Sequence, residues 1–192
     1  MESKTTKLQL NRPMPQVIDL EKAVLGALLI ERDGILAVID FLQPKSFYTA
    51  SHQEIYRAIF ELYSESHPID QITVTRWLRE QNKLEMVGGV VYVNGLTIEV
   101  NAATNIEYHA RLVLQEAIRR DVIRLGSKTQ TNAFDETQDI FEILDEFIHQ
   151  GVQILQTGTK SQMKSVGDTV QTLEQRYLEL VKTPPWLSRI RD

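Results

Sequence analysis

Apolar residues recur along most of this chain at steps of three and four, the spacing of one helical face. After Asp19 the positions Leu20, Ala23, Val24, Ala27 and Leu28 keep that rhythm. Leu25, Leu29 and Ile30 widen the face, so the first helix is predicted to be buried on most sides. Asp19 is the expected N-cap, its carboxylate accepting from free first-turn N–H groups. Asp33-Gly34 breaks the pattern, Ile35 to Leu42 reads as a short second helix, and Pro44 separates it from the next element. Ser51 and Glu54 have the S-x-x-E spacing of a capping box. Ile55, Ile59, Leu62 and Tyr63 then share a face, with Tyr56 and Phe60 beside it, and the helix should stop before Pro68. Asp70 or Thr73 starts the next helix, which carries Val74, Trp77 and Leu78 and ends by Gly88-Gly89.

Residues 90–100, VVYVNGLTIEV, are ambiguous: their β-branched content favours a strand, yet no partner strand is visible, which points to helix or irregular structure. From Ala103 to about Phe134 the pattern predicts one long helix, through Ile106, Ala110, Val113, Leu114, Ala117 and Ile118. At ~1.5 Å per residue it is roughly 45 Å long. Asp135-Glu136-Thr137 makes a turn, and a second long helix runs from about Gln138 to Thr157, giving an αα-hairpin. Residues 1–16 read as a flexible polar tail and residues 158–165 as a polar linker. A last amphipathic helix is predicted over about 166–182, where Val166, Val170, Leu173, Tyr177 and Leu180 alternate steps of four and three before Pro184-Pro185. The fold class is therefore all-α: a small globular bundle over about 17–100, a long hairpin over about 103–157, and a C-terminal linker helix within 158–192.

The hairpin faces are broader than a two-helix contact requires. On a wheel of ~100° per residue, Ile140, Phe141, Ile143, Leu144, Phe147, Ile148, Val152, Ile154 and Leu155 fill about half the circumference. One partner needs only a stripe of roughly 100°. The surplus must be covered by the N-terminal helices, by another copy of the chain, or by a different partner. Leaving several such side chains in water costs several kcal/mol at ~25 cal/mol per Å2.

Composition removes several function classes. With 42% hydrophobic and 24% charged residues, the 192-residue chain is an ordinary globular sequence. Its 26 Asp+Glu against 21 Lys+Arg leave a charge of −5, unsuited to gripping phosphate backbone over the whole surface. There is no cysteine, hence no disulfide, thiolate nucleophile or zinc-thiolate site. The most apolar run, Ala23 to Ile30, is far short of the ~20 residues of a membrane span, and the N-terminus lacks the apolar core of a signal peptide. A soluble, cytoplasmic protein is expected.

Candidate chemistry is sparse. Gly126-Ser127-Lys128-Thr129 and Gly158-Thr159-Lys160-Ser161 resemble the end of a phosphate-binding loop but lack both glycines of that motif. His52, His67, His109 and His149 form no metal-ligand spacing and read as surface or capping histidines. No catalytic, cofactor-binding or metal residue is assigned. Arg111, Arg119, Arg120, Arg124 and Lys128 make the first long helix locally basic. A weak nucleic-acid contact through these arginines competes with a solvated face paired to Glu116 and Asp121, and the second reading is favoured.

Four segments carry a family resemblance. LEKAVLGALLIERD at 20–33, FLQPKSFYTASHQEIYRAIFEL at 41–62, VGGVVYVNGL at 87–96 and NAATNIEYHARLV at 101–113 succeed one another in the order and spacing of the N-terminal domain of the DnaB family of bacterial replicative DNA helicases, which this chain resembles. The resemblance covers roughly residues 13–157 and implies that 90–100 is helical. It further implies a collar and assembly domain: hairpins pair between subunits, in a dimer or a hexameric ring, and the collar docks primase and takes part in helicase-loader interaction. The implied oligomer face is Ile140, Phe141, Leu144, Phe147, Ile148, Val152 and Leu155. The implied linker-helix docking face, towards a neighbouring ATPase domain, is Val170, Leu173, Tyr177 and Leu180. DNA is met indirectly or weakly, and no membrane is involved. Leu28 and Ile59 are read as core only.

Departures limit what carries over. In the family a RecA-type ATPase comes after the linker helix and holds ATP and Mg; here the sequence ends at TPPWLSRIRD, with no cofactor expected on the chain. Helicase activity is therefore not expected of these residues by themselves. A fragment, an interrupted gene and a natural stand-alone collar protein all fit. A stand-alone chain acts either as an assembly module or as a regulator that competes with or poisons the helicase ring. A primase C-terminal helicase-binding domain, of similar helical architecture, is the remaining alternative.

Overall fold

The computed structural model describes residues 12–31, 33–98 and 105–157, and the regular structure among them is all helical. Helix α1, Ile18–Ile30, runs through the centre, with Val24 to Leu29 all buried. Its flanks meet α2, Ala50–Ser64, then α4, Gly89–Ile98, and α5, Ile106–Ala133, while α3, Gln71–Glu80, packs on α2 and α4. A helix surrounded in this way needs apolar residues on nearly every side, which the run AVLGALLI supplies. Leu25, Leu28, Ile55, Ile59, Leu78 and Leu96 are among the largest side chains sealed in this core.

Local chemistry sets the boundaries. Asp70 caps α3: its Oδ1 accepts from the N–H groups of Ile72 at 2.9 Å and Thr73 at 2.8 Å, while Thr73 Oγ1 accepts from Asp70 N–H. Residues 89–98 form a helix despite their β-branched content, because Val93 and Leu96 complete the core only at helical spacing. The chain enters α4 through Gly88 at φ 101° and Gly89 at φ 72°, a left-handed region open to glycine without strain.

Three local expectations are corrected. The first helix is capped at Val17 with no side-chain bond, and Asp19 lies in the first turn, where its charge favours the positive helix end. Thr49, not Ser51, caps α2: Thr49 Oγ1 accepts from His52 N–H, and Ser51 is already helical. Residues 35–42 form a 3-10 turn, Gly34–Ala37, followed by hydrogen-bonded turns instead of a second helix. On α2 the buried aromatic is Tyr56, whose hydroxyl donates to Leu42 O at 3.2 Å, while Tyr63 is exposed.

The hairpin is α5 and α6 (residues 140–157). The first half of α5 joins the core through Ala110, Val113, Leu114 and Ala117. Beyond Arg120 it leaves the globular part, and α6 returns alongside, held by buried Leu125 and Ile143 and by Lys128 Nζ at 2.6 Å from Glu146 Oε1. Asp139 Oδ1 accepts from Phe141 N–H at 2.7 Å and caps α6. Most of the tail 1–16, and the whole linker 158–192 with its helix at about 166–182 and its face of Val170, Leu173, Tyr177 and Leu180, lie outside the described residues.

Candidate assembly surface

Helix α6 turns one narrow strip inwards and the rest of its apolar surface outwards. Ile143 faces α5 and is buried. Ile140, Phe141, Leu144, Phe147, Ile148, Val152 and Leu155 are all exposed, from 43% for Phe147 to 77% for Phe141. The globular part does not reach them. On α5, Val122 and Ile123 are exposed too, with Phe134 at the hairpin tip. An arm carrying this many exposed apolar side chains is of the kind that marks an interaction surface.

A buried polar network fixes the arm's base. Glu21 of α1 is fully buried, and its Oε1 accepts from Tyr48 N–H at 2.7 Å. Its Oε2 lies 2.6 Å from His52 Nδ1, and His52 Nε2 lies 2.7 Å from the Tyr92 hydroxyl. With Glu21 ionised, Nδ1–H donates to the carboxylate and Nε2 accepts from Tyr92, which satisfies each group. Arg120 of α5 closes the other side: Nη1 donates to Pro15 O at 2.9 Å and Nη2 to Ser46 O at 2.6 Å, with the guanidinium 5.6 Å from the Tyr48 ring centre. Burial lowers the pKa of Arg120, and the nearby Glu21 charge opposes that shift. The root of the hairpin is thus tied to α1, to the segment before it and to the 3-10 turn at Pro44–Ser46.

The basic residues do not form one open patch. Arg120 is corrected as a nucleic-acid contact, because it is 2% exposed and spent on two backbone carbonyls. Arg111 pairs with Glu107 and lies 5.0 Å from the Phe41 ring centre. Arg119 pairs with Glu116 and Arg124 with Asp121. His52 is likewise corrected: it is a core residue, not a surface or capping one. The network escaped sequence reasoning, although a signal was present. Glu21 precedes Val24, Leu25 and Leu28, and His52 precedes Ile55, Ile59 and Leu62, each at buried helical spacing. No described helix is long and apolar enough to cross a membrane.

Comparison with known proteins agrees with this architecture. The DnaB-like helicase N terminal domain family matches residues 13–115. The replicative DNA helicase DnaB of Rhodothermus marinus is 37% identical over 167 residues, which are 86% of this chain and 18% of that protein. Across the curated relatives compared, the chain spans 18% to 38% of their length. The crystal structure of the N-terminal domain of DnaB helicase from Mycobacterium tuberculosis superposes with a TM-score of 0.68 at 31% identity, covering 72% of this chain and 97% of that one. A DnaB-like replicative helicase, solved in a study of its interactions with primase, shares the fold with a TM-score of 0.59 at 23% identity, over 72% of this chain and 31% of that one. With more than half of its residues matched and its helical fold reproduced, this chain belongs to the DnaB-like helicase N-terminal domain family.

Proposed function

We propose that the chain is an assembly and docking module of a bacterial replicative DNA helicase. Copies associate through the outward face of α6, as a dimer or within a ring, and the collar so formed receives primase and, in loading, the helicase loader. The observation that carries this reading is the exposed run from Ile140 to Leu155 on an arm that the globular part leaves uncovered. The primase-associated relative of the same fold supports the docking part. In this reading the chain holds no nucleotide or metal, in keeping with the lack of a complete phosphate-binding loop in its sequence. It contributes to unwinding by holding neighbours together in the bacterial cytoplasm, and it meets DNA weakly or indirectly. Residues 166–182 supply the linker-helix docking face.

The test is sedimentation velocity of the 192-residue chain, alone and mixed with primase from the same bacterium. Assembly and docking together predict a self-associated species that becomes heavier on mixing. Association without any shift on adding primase removes the docking role; a monomer in both samples contradicts the whole reading.

A further inference from the structure

Each helix of the hairpin arm contains a glycine that packing within the chain does not explain. Gly126 lies in α5, beyond the anchored Arg120, and Gly151 lies in α6. A Cβ added at either position meets nothing within 4 Å. Neither glycine has a positive φ, so alanine fits both backbones. In an exposed helix interior a glycine weakens the helix relative to alanine. The ion pair of Lys128 with Glu146 sets the register of the arm and puts Gly126 opposite about residue 148. Gly151 is then about 4.5 Å farther along the axis, within one turn.

Two further features weaken α5 at the same height. Gly126-Ser127 is a glycine–serine pair, a sequence at which helices kink. The Thr129 hydroxyl donates to Leu125 O at 2.9 Å and the Thr131 hydroxyl to Ser127 O at 3.0 Å. Both bonds run back along the helix to carbonyls on either side of Gly126, and such bonds bend a helix. Little packing opposes a bend there, since across residues 121–157 only Leu125 and Ile143 are buried. Below this level Arg120 ties α5 to Pro15 O and Ser46 O.

We infer that the arm has a hinge at Gly126 and Gly151, about which its outer part tilts on the fixed root. Ile140, Phe141, Leu144 and Phe147 move with the outer part, whereas Val152 and Leu155 stay with the root. Resting on the self-association reading, the hinge lets the exposed apolar residues meet neighbouring copies at more than one angle.

The chain has no cysteine, so spin labels attach only where one is introduced. Ile72→Cys on α3 and Phe134→Cys at the arm tip are exposed sites outside the hinge. The doubly labelled chain is diluted into unlabelled wild-type chain, so that electron–electron distances are read within one copy. A broad distance distribution is expected. Gly126→Ala combined with Gly151→Ala is expected to narrow it, at unchanged helicity by circular dichroism. Amide hydrogen exchange from Ser127 to Thr131 should slow by about fivefold in Gly126→Ala. A distribution of equal width with and without the two alanines overturns the hinge even where exchange slows, because the glycines then weaken the helix without letting the arm tilt. Light scattering on the same samples separates the two readings. A multimer of unaltered width overturns the hinge alone, whereas a monomer whose distribution narrows supports the hinge and overturns its use in assembly.

Discussion

His52 Nδ1 lies 2.6 Å from Glu21 Oε2, and both side chains are fully buried. A buried carboxylate is tolerated only when its acceptor sites are filled, and here Tyr48 N–H and His52 fill them. Replacing His52 by Leu leaves the carboxylate partly unpaired and is expected to cost roughly 3–5 kcal/mol. Tyr92→Phe removes only the outer hydrogen bond and is expected to cost about 1 kcal/mol. Urea unfolding monitored by circular dichroism measures both; equal effects contradict this order.

Arg120 and Arg124 are four residues apart and differ completely in environment. Arg120→Ala strands the carbonyls of Pro15 and Ser46 and opens a cavity at the hairpin root, with an expected loss of about 3 kcal/mol. Arg124→Ala removes an exposed pair with Asp121 and should change stability by less than about 0.5 kcal/mol. Arg120→Lys should rescue only part of the loss, because an ammonium cannot span two carbonyls as the planar fork does. Thermal unfolding of the three variants checks this.

The cap of α2 gives a sharp contrast between near neighbours. Thr49→Ala removes the acceptor for His52 N–H and is expected to cost about 1 kcal/mol. Ser51→Ala, inside the helix, should be close to neutral. The same denaturant titration decides between them.

At the hairpin turn, Asp135 accepts from the hydroxyl and N–H of Thr137 and from the Gln138 amide, and these bonds lower its pKa from 3.8. A lowered folded value means that its contribution is complete above the unfolded pKa and is lost as pH falls through the folded one. The turn is therefore expected to hold at neutral pH and to loosen only below about pH 4. An NMR titration following the Thr137 amide checks this; loosening between about pH 5 and 7 contradicts it.

The helices were legible wherever burial follows periodicity. Leu28, Ile59 and the hairpin residues Val113 and Ile143 stand where their spacing puts them. Residues 90–98 were legible only in part: β-branched side chains oppose the helix that the core demands, the missing partner strand left helix or irregular structure, and the family resemblance decided for helix. Capping failed at Ser51 because Thr49, two residues earlier, offers an equivalent hydroxyl at the true boundary. The polar network failed for a different reason. Glu21, His52, Tyr92 and Arg120 come from four helices, and no local pattern reveals which buried charge meets which. The apolar arm was readable as a surplus, but its exposure required knowing how far the globular part extends.

Assembly through the outward face of α6 is put to its sharpest trial by molar mass from light scattering after size exclusion. A dilution series is run for the wild-type chain and for Ile148→Asp. The expected wild-type mass is at least twice 22.1 kDa and falls on dilution, whereas Ile148→Asp is a 22.1 kDa monomer of unchanged helicity. A wild-type mass of 22.1 kDa at every concentration, or a multimer that Ile148→Asp leaves intact, would contradict it.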